Sequence, residues 1–349
     1  NSGTRTTKQS FSTNNSYSFT ASATAGTKYA IDVEARNNNN SNIGQQTATS
    51  TLYYVTISPV YAILGSFNDW THSANTWDLS DQGSNTWKAT FHLEQGNHTF
   101  KVVHNSSYYG KDGTTITRSS ATASSLSTSG DNINLTADYA GNYTFTFNSS
   151  TKNLTVTYPT IYKVTYSHVP TAAADAPTTN PSVTSGNNVV AGTSVTFTAK
   201  TAKTGYTWKG WYSNNAGTGD ALSTNLAYTR SITANTTIYA VYTPKTYTIT
   251  LNPQGGSNGT ASVTATYNSN ILEPKITNPT KHGHRFKGWF PNTSSDVMVI
   301  NTEGNLVPNA KTGLATYTDE NGNWIYDNNN IPFHAQWTPE IFYITYKDQ

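Results

Sequence analysis

The chain has 349 residues, of which 11% are charged, and its formal charge of +2 is spread without any run of Lys or Arg, so nucleic acid is not an expected partner. It holds no cysteine, which excludes a disulfide framework, thiolate chemistry and Cys-ligated zinc. No apolar run approaches the ~20 residues of a membrane-crossing helix, so no membrane insertion is expected.

Apolar residues never recur at helical spacing over three turns, whereas Thr-, Tyr- and Val-rich alternating runs recur throughout; the predicted class is all-β. A prior of roughly 100 to 150 residues per domain allows two to four units, and the sequence divides into four. Residues 1–58 hold three predicted strands, "YSFTASA", "KYAIDVEAR" and "TSTLYYVTIS", read as a partial immunoglobulin-like linker domain. Residues 59–158 open with "PVYAILGSFNDW" and close on the hairpin "YTFTFNSSTKNLTVTYP", in which Tyr143, Phe145 and Phe147 alternate with threonines; they form a predicted β-sandwich.

From residue 160 the chain repeats itself. "IYKVTYSHVP" matches "TYTITLNPQGG", "GYTWKGWYSN" matches "GHRFKGWFPN", and "TTIYAVYTP" matches "IPFHAQWTP". Each copy is an opening strand, a hairpin around G-x-x-[WF]-K-G-W-[YF], and an exit strand ending in Thr-Pro. The two copies, 160–244 and 245–339, resemble the Listeria/Bacteroides repeat of bacterial surface proteins, which implies β-grasp-like modules. The first copy lacks the Gly-Gly after its opening strand, and the second is longer before its exit strand. Residues 340–349, "EIFYITYKDQ", read as the start of a further unit, so a monomeric piece of a larger protein is expected.

The stretch "YAILGSFNDWTHSANTWDLSDQGSNTWKATFHLEQGNHTFKVV" resembles the starch- and glycogen-binding modules that accompany pullulanases, amylases and glycogen-sensing kinases. The resemblance implies an aromatic platform with a few polar groups. Carried over by position, its first platform is Trp70, its lysine is Lys101, its second platform is Tyr108 with Tyr109 beside it, and its late asparagine is Asn132 or Asn134. A Tyr stands where that family places a second Trp.

The residues agree by their own chemistry. A neutral glucan offers no charge, so it is held by flat rings under its apolar sugar faces and by hydrogen bonds to its hydroxyl edges. Alternation puts Lys101 opposite in direction to Phe100 and Val102, and Asn132 and Asn134 opposite to Ile133 and Leu135, so the candidates fall on the solvent side. Core packing is the competing reading. For Trp70 it stays open, and for Trp77 and Trp87 it is preferred. Trp208, Trp211, Phe286 and Trp289 recur with each copy and are read as core.

Catalysis is not expected: the acids are few and mostly in loops, and no G-x-S-x-G elbow occurs. "DENGN" from Asp319 fails as a calcium loop because Trp324 and Asn330 stand where Gly and Glu are needed; it reads as a type I′ turn. His282 and His284 have no third ligand in view, so no metal and no cofactor is predicted. The reading is an extracellular bacterial protein, surface-bound or secreted, that binds α-glucan without turnover. The alternatives are a stalk without a sugar site and a module for another neutral glycan.

Overall fold

The computed structural model describes residues 60–72, 76–329 and 331–345, with the backbone of two short strands, Lys28–Tyr29 and Val55–Thr56, that pair antiparallel. The linker domain read over 1–58 otherwise lies outside the described residues, as do the last four residues of the predicted further unit. Among the described residues the secondary structure is strand apart from one 3-10 turn at Thr171–Ala173, and no helix is long and apolar enough to cross a membrane. The chain divides into two compact units, 1–160 and 161–349.

The first unit is built on β1 (Tyr61–Gly65), β2 (Asp78–Asp81), β3 (Thr86–Leu93), β4 (Gly96–His104), β5 (Ser107–Tyr109), β6 (Ile133–Ala137), β7 (Gly141–Asn148) and β8 (Asn153–Thr157). β4 lies between β1 on one edge and β6 and β5 on the other, while β3 pairs with β7 and β7 with β8. β2 links the two sheets: its start pairs with Tyr61 and Ala62 of β1, its end with Trp87 and Lys88 of β3. The alternating β7 sequence sends Tyr143, Phe145 and Phe147 inward, where Phe145 meets Phe100 edge-on at 5.4 Å. Trp87 is buried, and Trp77 packs half-buried between Phe67 and Phe91.

One polar clamp closes this core. Arg118 grips Asp138 with two donors, Nε to Oδ2 at 2.6 Å and Nη2 to Oδ1 at 3.0 Å, and gives Nη1 to the Pro159 carbonyl. The Tyr143 hydroxyl donates to the carbonyl of Tyr139, four residues upstream. Burial works to raise the Asp138 carboxyl, but the Arg118 donors outweigh it and hold the group below its usual range.

In the second unit the opening strand β9 (Ile161–Val169) runs parallel to the exit strand β12 (Thr236–Pro244); β10 (Asn188–Val190) and β11 (Tyr206–Tyr212) flank them antiparallel. The second copy repeats this order with β13 (Thr246–Asn252), β14 (Ser262–Thr266), β15 (His284–Phe290) and β16 (Ile331–Pro339). Parallel first and last strands between two hairpins is a β-grasp order. Among the described residues no helix crosses the sheet in either copy. Copy one uses a three-stranded sheet, Thr178–Asn180, Ser194–Thr198 and Ala227–Ser231, and copy two an irregular segment that buries Trp324 completely.

The repeated K-G-W has a local cause. Register shifts at Trp208/Gly210 and Phe286/Gly288, where the glycines take φ +146° and +130°; a Cβ would sit 2.9 Å from the Ser223 carbonyl and 2.8 Å from that of Ile300. The bulge turns Trp211 and Trp289 fully into their cores, while Trp208 and Phe286 stay half-buried against them. Gly256 of the second copy lies under Trp337, whose ring would be 2.6 Å from a Cβ there. The turn after Asp319 is not type I′. Gly322 alone takes positive φ, +79°, after an i to i+3 bond from its amide to the Asp319 carbonyl, so this is a type I turn closed by a left-handed glycine.

Candidate functional site

Ile63, Phe100 and Val102 point into the core of the first unit, so Ala62, Leu64, Lys101 and Val103 face the other way. Cross-strand register then builds a second face. One row runs Asp78, Ala62, Val103, Tyr108; the next contains Leu64 and Lys101; a third pairs Thr99 with Asn134. Asn132 directly precedes β6 and is set off by one residue from Ile133, the partner of Phe100, which puts it level with Lys101. Adjacent strands are ~4.8 Å apart, so the Asp78 to Tyr108 row spans about 14 Å. Ala62, Leu64 and Val103 on this face are buried, whereas Tyr108, Asn132 and Asn134 are exposed.

The aromatic rim is fixed by backbone. Gly65 ends β1 against β4, where a Cβ would be 2.3 Å from the Thr99 carbonyl. The Asn68 side chain accepts from the Gly65 amide at 2.8 Å and donates to the Ile63 carbonyl at 3.0 Å. That turn brings the Trp70 amide onto the Gly65 carbonyl at 3.0 Å, with Trp70 in the left-handed region at φ 56°. Trp70 is 37% exposed and Tyr108 44%; among the described residues neither stacks on another ring.

Tyr108 and Asn132 are held near one another by two glycines. Gly110 and Gly130 touch backbone to backbone: a Cβ on Gly110 would be 2.0 Å from the Asp131 carbonyl, and one on Gly130 2.4 Å from that of Gly110. Lys111 donates its amide to the Asp131 carbonyl, and Lys101 Nζ donates to the Gly130 carbonyl at 2.8 Å.

The register thus sets Lys101, Tyr108, Asn132 and Asn134 on one side of the sheet, and Trp70 stands exposed in the turn that follows β1. Tyr109 is the correction. Residues 107–109 form a strand on β4 rather than a loop, so neighbours point in opposite directions, and Tyr109 packs half-buried against the core with its ring 6.4 Å from Phe147 and under Lys152 Nζ at 5.2 Å. The sequence also missed His72 and Asp78, whose Nε2 and Oδ1 are 2.6 Å apart on this same face. Among the described residues no group of three His, Cys, Asp or Glu side chains is arranged to hold a metal ion.

Residues 53–154 match the Pullulanase X25 domain, 171–246 the Divergent InlB B-repeat domain, and 247–314 the Listeria-Bacteroides repeat domain. Internalin H of Listeria monocytogenes is 33% identical over 159 residues, covering 45% of this chain and 27% of its own length. A protein of Evansella cellulosilytica named as a Gly-rich membrane protein is 36% identical over 101 residues, 28% of this chain and 11% of its own. The chain thus spans well under a third of either relative. The solved ligand-induced structure of AmyP-SBD is 23% identical, covering 40% of this chain and 99% of its own, with a TM-score of 0.24. By these matches the chain joins a segment of Pullulanase X25 type to two repeats of the InlB and Listeria-Bacteroides type.

Proposed function

We propose that the first unit binds α-glucan, such as amylopectin or malto-oligosaccharides, without turning it over. The observation that carries this reading is Tyr108, exposed and unstacked among the described residues, on one face with Lys101, Asn132 and Asn134, beside an exposed Trp70 in the turn after β1. Flat rings can lie under the apolar faces of successive sugars while the amides and the ammonium meet hydroxyl edges. The Pullulanase X25 match over 53–154 supports a carbohydrate ligand.

The repeats serve as spacers in this account, because their recurring aromatics Trp211 and Trp289 are spent on their own cores. Relatives named as an internalin and a membrane protein favour the bacterial cell surface as the place of work. A single open face binds weakly, and several modules on one polymer raise retention by about a hundredfold or more.

Affinity electrophoresis of the whole chain tests the reading. Amylopectin in the gel retards the wild type, xylan does not, and Trp70→Ala runs freely in both. Equal mobility of wild type with and without amylopectin overturns it.

A further inference from the structure

We propose that His72 is a further binding residue of this face, a hydrogen-bond acceptor for a sugar hydroxyl that Asp78 holds in position; this rests on the glucan reading above. Asp78 begins β2 directly opposite Ala62, in the row that ends at Tyr108. Its Oδ1 lies 2.6 Å from His72 Nε2. In the tautomer whose Nε2–H donates to this carboxylate, Nδ1 is left as an acceptor.

Exposure divides the two roles. The Asp78 side chain is 20% accessible and the His72 side chain 46%, so the carboxylate is the less exposed anchor and the imidazole the group that faces outward. The residue before His72 is also held in place. Thr71 gives its amide to the Asn68 carbonyl and its hydroxyl to that of Asp69, in the same turn that fixes Trp70. His72 is thus tied through the turn and through Asp78, two residues from the platform ring. Each sugar hydroxyl both donates and accepts, and the Lys101 ammonium can only donate; a fixed acceptor beside Trp70 supplies the complementary half of the contact. Asp78 is a positioning residue here, since it acts through the ring.

The test uses the full chain in amylopectin gels, with His72→Phe, His72→Gln, Asp78→Ala and Trp70→Ala beside the wild type and thermal midpoints measured for each. His72→Phe keeps a ring and loses the acceptor, so its affinity falls about three- to tenfold, the worth of one hydrogen bond. His72→Gln restores an acceptor and recovers most of that loss. Asp78→Ala weakens binding as His72→Phe does. A His72→Phe chain retarded like the wild type, or a His72→Gln chain as weak as His72→Phe, overturns the role of His72 and leaves the glucan reading intact. A wild type that is not retarded overturns both.

Discussion

Lys101 on β4 donates its ammonium to the carbonyl of Gly130, 2.8 Å away and 29 residues on in the chain. The bond ties the candidate face to the loop that carries Asn132, so this lysine is a strut, and in the proposed site it is also a donor to the glucan. Lys101→Met keeps the aliphatic stem and removes both functions. We expect it to lower stability by about 1.5 kcal/mol and to weaken glucan retention, whereas Trp70→Ala weakens retention at unchanged stability. Denaturant unfolding beside gel retardation separates the two.

The Arg118–Asp138 clamp makes the first unit acid-sensitive. The folded Asp138 pKa lies below its unfolded value, so the stability it contributes is fully present above about pH 4 and is lost as pH falls through the folded pKa. Thermal midpoints of wild type and Asp138→Asn differ at pH 7 and converge between pH 4 and pH 2. A constant gap across that range contradicts the assignment.

Gly288→Ala tests the bulge that seats Trp289. At φ +130° with the Ile300 carbonyl 2.8 Å from the new Cβ, the substitution is expected to cost about 1–3 kcal/mol. Gly313→Ala, where a Cβ meets open space, changes the denaturant midpoint little.

Asp327 joins the two repeats. It accepts from Lys245 Nζ at 3.0 Å, the Tyr247 hydroxyl at 2.8 Å and the Gly205 amide of the first copy at 3.2 Å. Gly205 in turn has no room for a Cβ beside the Tyr267 ring, 2.2 Å away. Stacked repeats share stability through such interfaces. Asp327→Ala is expected to split one unfolding transition of the repeat pair into two and to speed hydrogen exchange at the Gly205 amide.

Much of this was legible because period-two alternation survives wherever a strand has one wet face: Tyr143, Phe145 and Phe147 inward, Asn132 and Asn134 outward. The repeats were legible because Gly210 and Gly288 answer the same steric demand twice. Tyr109 was misread because "SSYYG" has the composition of a loop, and only its pairing with β4 separates it from Tyr108. The His72–Asp78 pair and the Lys101–Gly130 bond join residues across loops, where no local period records who meets whom. The turn at Asp319 needed the φ of Asn321 and Gly322, which the letters N-G leave open.

The most direct test of the central claim is co-sedimentation of the whole chain with granular starch, beside a Trp70→Ala/Tyr108→Ala double variant of matched thermal midpoint. The account predicts that the wild type pellets and is released by maltoheptaose, while the double variant stays in solution. A double variant that pellets like the wild type, or a wild type that stays in solution, contradicts it.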